Sequence, residues 1–120
     1  MARHLVLLLS SDDQRREAWH GSLRGAGHHA LHAQTLERAL FLISKVRPSL
    51  ILAEGSLEDG RVLTLLHELR GHEPLRQVIV VVLGDVTAEE QEHIASDARS
   101  HRRPVDAHVR KIVDEFLKAA

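Results

Sequence analysis

Three short, uninterrupted apolar runs place the strongest constraint on the fold of this chain. HLVLLLS, PSLILAE and QVIVVVLG are rich in leucine, valine and isoleucine. Runs of this kind, without alternating polar residues, are typical of strands buried on both faces of a parallel sheet. A fourth segment, HHALHA, is a weaker candidate for a strand. We therefore predict a parallel sheet that is covered by helices on both sides.

Segments with helical periodicity separate these runs, and their apolar residues recur at spacings of three and four. The periodic positions are Leu36, Ala39, Leu40 and Ile43 in residues 35–47, Val62, Leu65, Leu66 and Leu69 in residues 58–70, and Val105, Val109, Ile112, Val113, Phe116 and Leu117 in the last segment. Pro104 precedes the last stripe, where a first-turn proline is tolerated. Ser11 with Gln14, and Thr87 with Glu90, have the spacing of a capping box, which predicts two helix starts.

Strand and helix thus alternate about five times, which predicts a doubly wound α/β sandwich with right-handed crossovers. The 120 residues suit one domain that covers residues 1–120. A hydrophobic content of 43% with 28% charged residues is typical of an ordered globular protein.

Composition also limits the classes of function. The net charge of -1 does not indicate nucleic acid or an anionic membrane as a partner. The chain has no cysteine, which excludes disulfides and thiolate metal sites and fits a reducing cytoplasm. No apolar run approaches the roughly 20 residues that span a bilayer. We therefore expect a soluble, cytoplasmic protein that binds neither nucleic acid nor membrane.

Ligands of doubly wound sheets bind at the carboxyl ends of the strands. In this sequence those ends carry Ser10 and Ser11 after the first strand, Glu54 after the third, Gly84 after the fourth and Arg103 near a fifth. These residues are our candidate site.

Over essentially its whole length the chain resembles the receiver domain of two-component response regulators, the CheY-like family. The resemblance rests on LVLLLSSDD, LRGAGHHA, RPSLILAEGSLEDG, LRQVIVVVLGD and RRPVD, taken in this order and spacing. It implies a flavodoxin-like (βα)5 sandwich with a parallel sheet of order 2-1-3-4-5. It also implies a metal-binding acidic pair, a phosphoacceptor aspartate, a hydroxyl residue and a lysine followed by proline at the strand ends.

This sequence departs from the family's pattern at each of those positions. The acidic pair falls on Ser10 and Ser11, the phosphoacceptor on Glu54, the hydroxyl residue on Gly84 and the lysine on Arg103. Phosphoryl transfer relies on positioning and on charge neutralisation by Mg²⁺, which prefers carboxylate oxygens to serine hydroxyls. Glutamate is one methylene longer than aspartate, which displaces the attacking oxygen. We therefore expect no cofactor, and Mg²⁺ binding that is weak or absent.

Alternatives stay open around Glu54. It either pairs with Arg103 as a fixed charge or ends a strand and is solvated. Asp12 and Asp13 follow the two serines directly, so that a shift of one or two residues would restore an acidic position.

The fifth strand is weakly encoded, because DARSHRRP has no apolar residue between Ala98 and Pro104. We expect it to be short, frayed or rebuilt. A basic patch occupies the same stretch, and it is either a solvated edge that discourages strand pairing or a dock for an acidic partner. The patch comprises Arg99, His101, Arg102 and Arg103.

Histidine and aromatic residues give weaker indications. Strand alternation in HHALH places His28 and His32 on one face, but two imidazoles are not a complete metal site, so we predict surface histidines and no metal. Trp19 is expected to pack in the core from the first helix. Phe41 and Leu42 broaden the apolar stripe of the second helix, either as excess core or as an exposed contact.

Taken together, the departures predict an atypical receiver, or pseudo-receiver. This would be a non-enzymatic module that binds a protein partner in a signalling pathway without being phosphorylated, alone or as a homodimer. One alternative is a true phosphoacceptor receiver that uses a displaced aspartate, and another is a module that binds a small ligand in the vacated pocket beside Gly84. The chain stops directly after the last helix, which would suit one part of a larger protein.

Overall fold

The computed structural model describes residues 4–24 and 26–117, and these form a parallel sheet with helices on both faces. The strands of the sheet are β1 (Leu5–Leu9), β2 (His29–Ala33), β3 (Leu50–Glu54), β4 (Ile79–Leu83) and β5 (Ser100–Arg103). The helices are α1 (Asp13–Leu23), α2 (Leu36–Lys45), α3 (Val62–Gly71), α4 (Ala88–Ala95) and α5 (Val109–Leu117). The spatial order β2-β1-β3-β4-β5 confirms the predicted doubly wound sandwich.

The sheet is buried on both faces, as its continuous apolar runs predict. Side chains alternate along each strand, so that Leu7 packs towards α2, α3 and α4, while Leu8 packs towards α1 and α5. Trp19 belongs to the second of these clusters and is only 5% exposed, which confirms its predicted place in the core. No helix in the described part of the chain is long and apolar enough to cross a membrane.

Two of the predicted helix starts have different outcomes. The capping box at α4 is confirmed, because the Thr87 hydroxyl accepts from the Glu90 N–H and the Glu90 carboxylate accepts from the Thr87 N–H. The box predicted at Ser11 is wrong. Asp12 caps α1 by accepting from the backbone N–H groups of the first turn, while the Ser11 hydroxyl bonds elsewhere.

The last helix begins later than the sequence predicts. It starts at Val109 and not near Pro104, and residues 104–108 form a turn in which the Ala107 N–H donates to the Pro104 carbonyl at 3.0 Å. Val105 therefore falls outside the apolar stripe and is 47% exposed. It lies over the end of β4, next to Gly84.

The edge strand β5 is short, as expected, but fully paired with β4 from Val80–Ser100 to Leu83–Arg103. Because β5 contains no apolar residue, hydrogen bonds between polar side chains hold it in place. The guanidinium of Arg70 on α3 donates to the Asp97 carboxylate, to the Ser100 hydroxyl at 3.3 Å and to the Val78 carbonyl at 3.0 Å. Burial raises the pKa of Asp97, but Arg70 and the neighbouring donors hold it below its ordinary value.

Candidate functional site at the carboxyl ends of the strands

A cleft of about 590 Å³ opens where β3, β4 and β5 end. Glu54, at the end of β3, is the half-buried carboxylate of this cleft, with 18% of its side chain exposed. Asp85 and Asp106 lie at its rim with exposed side chains. Glu54, at the end of β3, and Gly84, directly after β4, both line the cleft.

Both oxygens of the Glu54 carboxylate are engaged. The Ser10 hydroxyl, which is fully buried, donates to Oε1. The Arg15 guanidinium, from the first turn of α1, donates to Oε2 at 2.5 Å. Glu54 is therefore specifically paired and not solvated, but the predicted partner Arg103 is wrong and Arg15 is the observed one.

Arg103 lies on the other face of the sheet. Adjacent side chains alternate along a strand, so that Arg103 points towards α5, where it bonds to Glu115 at 2.6 Å and lies 5.4 Å from the centre of the Phe116 ring. Arg102 points towards the cleft, and its Nε donates to the Gly84 carbonyl at 2.9 Å. Arg102 is therefore the residue of β5 that contributes a positive charge to the cleft.

The same alternation divides the predicted basic patch. His101 packs on the Phe116 ring with centroids 4.2 Å apart, on the side of Arg103. Arg99 bonds to the side chain of Gln77 at 2.8 Å. The four residues therefore do not form one surface: His101 and Arg103 face α5, Arg102 faces the cleft, and Arg99 precedes β5.

Ser11 and the two aspartates after it are bound outside the cleft. The Ser11 hydroxyl donates to the Gln34 carbonyl at 2.7 Å and accepts from the Glu58 N–H at 2.8 Å. Asp12 is the cap of α1. Asp13 pairs with Arg16, and hydrogen bonds from Arg16 and Gln34 hold the pKa of Asp13 below its ordinary value. Neither aspartate lines the cleft that contains Glu54.

Glycine is required at two positions of the cleft. Gly84 has φ +98°, which an L side chain adopts only with strain. A Cβ at Gly55 would lie 2.5 Å from the Asp85 carbonyl oxygen. The loops after β3 and β4 therefore approach each other more closely than larger residues would allow.

Two arginines of the cleft were missed by the sequence analysis. Arg61, before α3, makes a bidentate pair with Glu90 of α4, with Nε–Oε2 3.0 Å and Nη2–Oε1 2.6 Å. Glu90 is 1% exposed; burial raises its pKa, whereas Arg61 and Thr87 lower it below its ordinary value. The capping box indicated Glu90 but not its partner Arg61, and no sequence motif indicated Arg15.

The donor groups do not fit the divalent cation that the resemblance implies. Mg²⁺ takes oxygen ligands, mainly carboxylates. Glu54 is already neutralised by Arg15, and the hydroxyls of Ser10 and Ser11 are committed to protein partners. In the part of the chain that the structure describes, no three histidine, aspartate or glutamate side chains come together in a way that could hold a metal.

Solved structures with the same architecture are numerous. The chain is similar to the chemotaxis response regulator CheY4 of Vibrio cholerae, with 12% identity, a TM-score of 0.82 and coverage of 99% of this chain and 100% of that one. It is similar to a response regulator receiver protein from Pseudomonas putida, with 24% identity, a TM-score of 0.82 and coverage of 100% and 99%. It is also similar to the phosphorylated cyanobacterial phytochrome response regulator RcpA, with 18% identity, a TM-score of 0.86 and coverage of 99% and 97%.

No protein-family model and no curated protein matches the sequence. The likeness to solved structures extends over almost the whole chain, while the residues at the cleft differ from the pattern that the resemblance implies. The protein therefore has the fold of the CheY-like receiver domains of response regulators.

Proposed function

We propose that this chain is a pseudo-receiver, a signalling module that binds a protein partner without being phosphorylated. One observation carries the proposal: both oxygens of Glu54, at the position of the phosphoacceptor, are held by Ser10 and Arg15. A carboxylate nucleophile has to present a free oxygen in line with the phosphoryl group. In this cleft the guanidinium of Arg15 supplies the neutralising positive charge that a metal would supply in phosphoryl transfer.

Two further features support a module with a fixed conformation. Gly84 has no hydroxyl that could follow a phosphoryl group. The Arg61–Glu90 pair joins the start of α3 to α4 beside the cleft. We infer that α4 stays in one position and presents a constant surface, and that Mg²⁺ binds weakly or not at all.

Acetyl phosphate with Mg²⁺, followed by intact-mass analysis, tests the proposal. We expect no phosphoryl adduct on the wild-type chain under conditions in which a phosphorylatable receiver domain, run in parallel, is modified. Glu54→Gln serves as the matched control, since it keeps the side-chain length and removes the nucleophile. A base-labile adduct mapped to Glu54, Asp12 or Asp13 would show instead that the chain is a true phosphoacceptor.

A small anionic ligand is the second candidate for this cleft. Arg15, Arg61 and Arg102 come from three separate elements and line the same space, and each side chain is between 37 and 41% exposed. Arg15 and Arg61 also pair with Glu54 and Glu90, so Arg102 is the cation with which an anion would make its main contact. Guanidinium groups are the preferred protein partners of phosphate and carboxylate. A ligand that binds the native state raises the melting temperature. Thermal-shift titration with pyrophosphate, with Arg102→Ala as the control variant, separates this candidate from a module that binds only proteins.

A further inference from the structure

An exposed aromatic residue lies on α2, far from the cleft. The Phe41 side chain is 49% exposed, and two cations of the same helix lie over its ring. The Arg38 guanidinium carbon is 5.1 Å and the Lys45 ammonium 5.6 Å from the ring centroid. Phe41 thus forms no part of the core, and its apolar surface is bordered by positive charge.

An apolar groove of about 650 Å³ adjoins Phe41. It runs between the C-terminal ends of α2 and α3 and the short 3₁₀ turn Glu73–Leu75. Its apolar lining comprises Leu40, Ile43, Val46, Leu69, Pro74 and Leu75. Lys45 lines the groove and also lies over the Phe41 ring, so the groove and the ring adjoin at this residue, and we call the two together the α2–α3 groove.

Among the charged residues that line the α2–α3 groove or contact the Phe41 ring, cations outnumber carboxylates. Lys45 and Arg47 line it, and Arg38 extends the positive border along α2. The acidic residue of the lining, Glu68, faces His72 of the same helix end, with 3.4 Å between Oε2 and Nε2. A partner that buries apolar side chains here would therefore gain most from carboxylates along its own border.

We propose that the α2–α3 groove binds an amphipathic, acidic helix of a protein partner. Its apolar side chains, spaced as on one helix face, fill the groove and cover Phe41, and its carboxylates meet Arg38, Lys45 and Arg47. The proposal deepens the proposed function by giving the module a binding surface. It is tested independently, since peptide binding at the groove and phosphoryl transfer at Glu54 are separate measurements.

A pair of designed peptides provides the probe. The first is a peptide of about 15 residues with leucines at i, i+3, i+4 and i+7, a few glutamates beside them and alanines at the other positions, and the second carries lysines in place of the glutamates. Titration followed by fluorescence anisotropy should show saturable binding of the acidic peptide to the full chain, weakened by added salt. The lysine peptide should bind at least about tenfold more weakly.

Matched variants locate the binding surface. Phe41→Ala and Arg47→Glu should each weaken binding of the acidic peptide about tenfold. Val105→Ala and Lys111→Glu, at exposed positions outside the groove, should leave it unchanged. Because all four side chains are exposed, circular dichroism should confirm that every variant is folded.

Three results would overturn the proposal. The first is equal affinity for the acidic and the lysine peptide. The second is unchanged binding in Phe41→Ala. The third is binding to phosphatidylglycerol vesicles with none to either peptide, which would assign the surface to lipid.

Discussion

Arg15 donates a hydrogen bond to Glu54 at 2.5 Å, across the point where β1 and β3 end side by side. The pair brings a cation from α1 and an anion from β3 together above the buried hydroxyl of Ser10. The carboxylate at the end of β3 is in this way neutralised by a cation of the same chain.

A double-mutant cycle should detect this pairing. Arg15→Ala should lower the free energy of unfolding by about 0.5–1 kcal/mol, because the guanidinium is partly exposed. Glu54→Ala should cost about 1–3 kcal/mol, because it also leaves the buried Ser10 hydroxyl with only a long contact to the Asp12 carbonyl at 3.4 Å. Urea denaturation of the double variant should show a loss smaller than the sum.

The partner predicted from sequence serves as the control for that cycle. Arg103→Ala combined with Glu54→Ala should be additive within about 0.5 kcal/mol, because Arg103 bonds to Glu115 on the other face. Additivity in the Arg15 cycle together with coupling in the Arg103 cycle would contradict the observed pairing.

Two glycines should respond in opposite directions to alanine. Gly84→Ala should lower the free energy of unfolding by about 1–3 kcal/mol, because φ +98° strains an L side chain. Gly21→Ala should raise it by about 0.5–1 kcal/mol, since Gly21 lies within α1 and a Cβ there meets no atom within 4 Å. Thermal unfolding of both variants tests this. A Gly84→Ala variant as stable as wild type would refute the strain at the end of β4.

The Arg61–Glu90 pair should be strongly asymmetric towards mutation. Arg61→Ala leaves a carboxylate that is 1% exposed without its cation, and we expect a loss of about 2–3 kcal/mol. Glu90→Gln should cost less, because the amide oxygen still accepts from the Thr87 N–H. The two values follow from urea unfolding midpoints. Equal losses would mean that the buried charge contributes little.

Stability should fall on mild acidification. Burial lowers the pKa of His32 below its ordinary value of 6.5, and the neighbouring His20 and Arg16 lower it further, against an opposing effect of Glu17. At this site the unfolded chain therefore binds more protons than the folded chain as the pH falls through about 6.5, so that the free energy of unfolding decreases there.

Melting temperatures measured at several pH values between about pH 8 and pH 5.5 should fall as the pH decreases. His32→Gln should make the curve less steep without abolishing its slope, because burial also lowers the pKa values of His28 and His101. His29→Gln, at an exposed position of the same strand, should not. A wild-type curve that rises towards acid pH would contradict the direction of the shift.

The fold was predictable because its information is local and repeated. Runs such as QVIVVVLG are buried on both faces in β4, and the stripe of Val62, Leu65, Leu66 and Leu69 is the buried face of α3. The start of α5 was misplaced because Val105 continues the periodicity while its backbone belongs to a turn. Periodicity reports which side chains could share a face, but not where the backbone begins to be helical.

The site was less predictable, because its pairs join residues far apart in the chain. Strand ends identified Glu54 and Gly84, but the choice between Arg15 and Arg103 depends on which way each long side chain turns. Arg102 and Arg103 are adjacent and chemically identical, and strand alternation alone separates their roles. A one-residue uncertainty in the position of β5 was enough to assign the wrong arginine to the cleft.

The network of Arg70, Asp97 and Ser100 affects how the edge strand β5 aligns with β4. A strand of the composition SHRR has no apolar face to distinguish its correct alignment from one displaced by a residue. In the observed alignment Asp97 and Ser100 both bond to Arg70 of α3, and a slip of β5 along β4 would move both away from this guanidinium and leave buried polar groups unpaired. Hydrogen bonds among three polar side chains thus determine the register of β5. In the other four strands of the sheet the register is determined by the burial of apolar side chains.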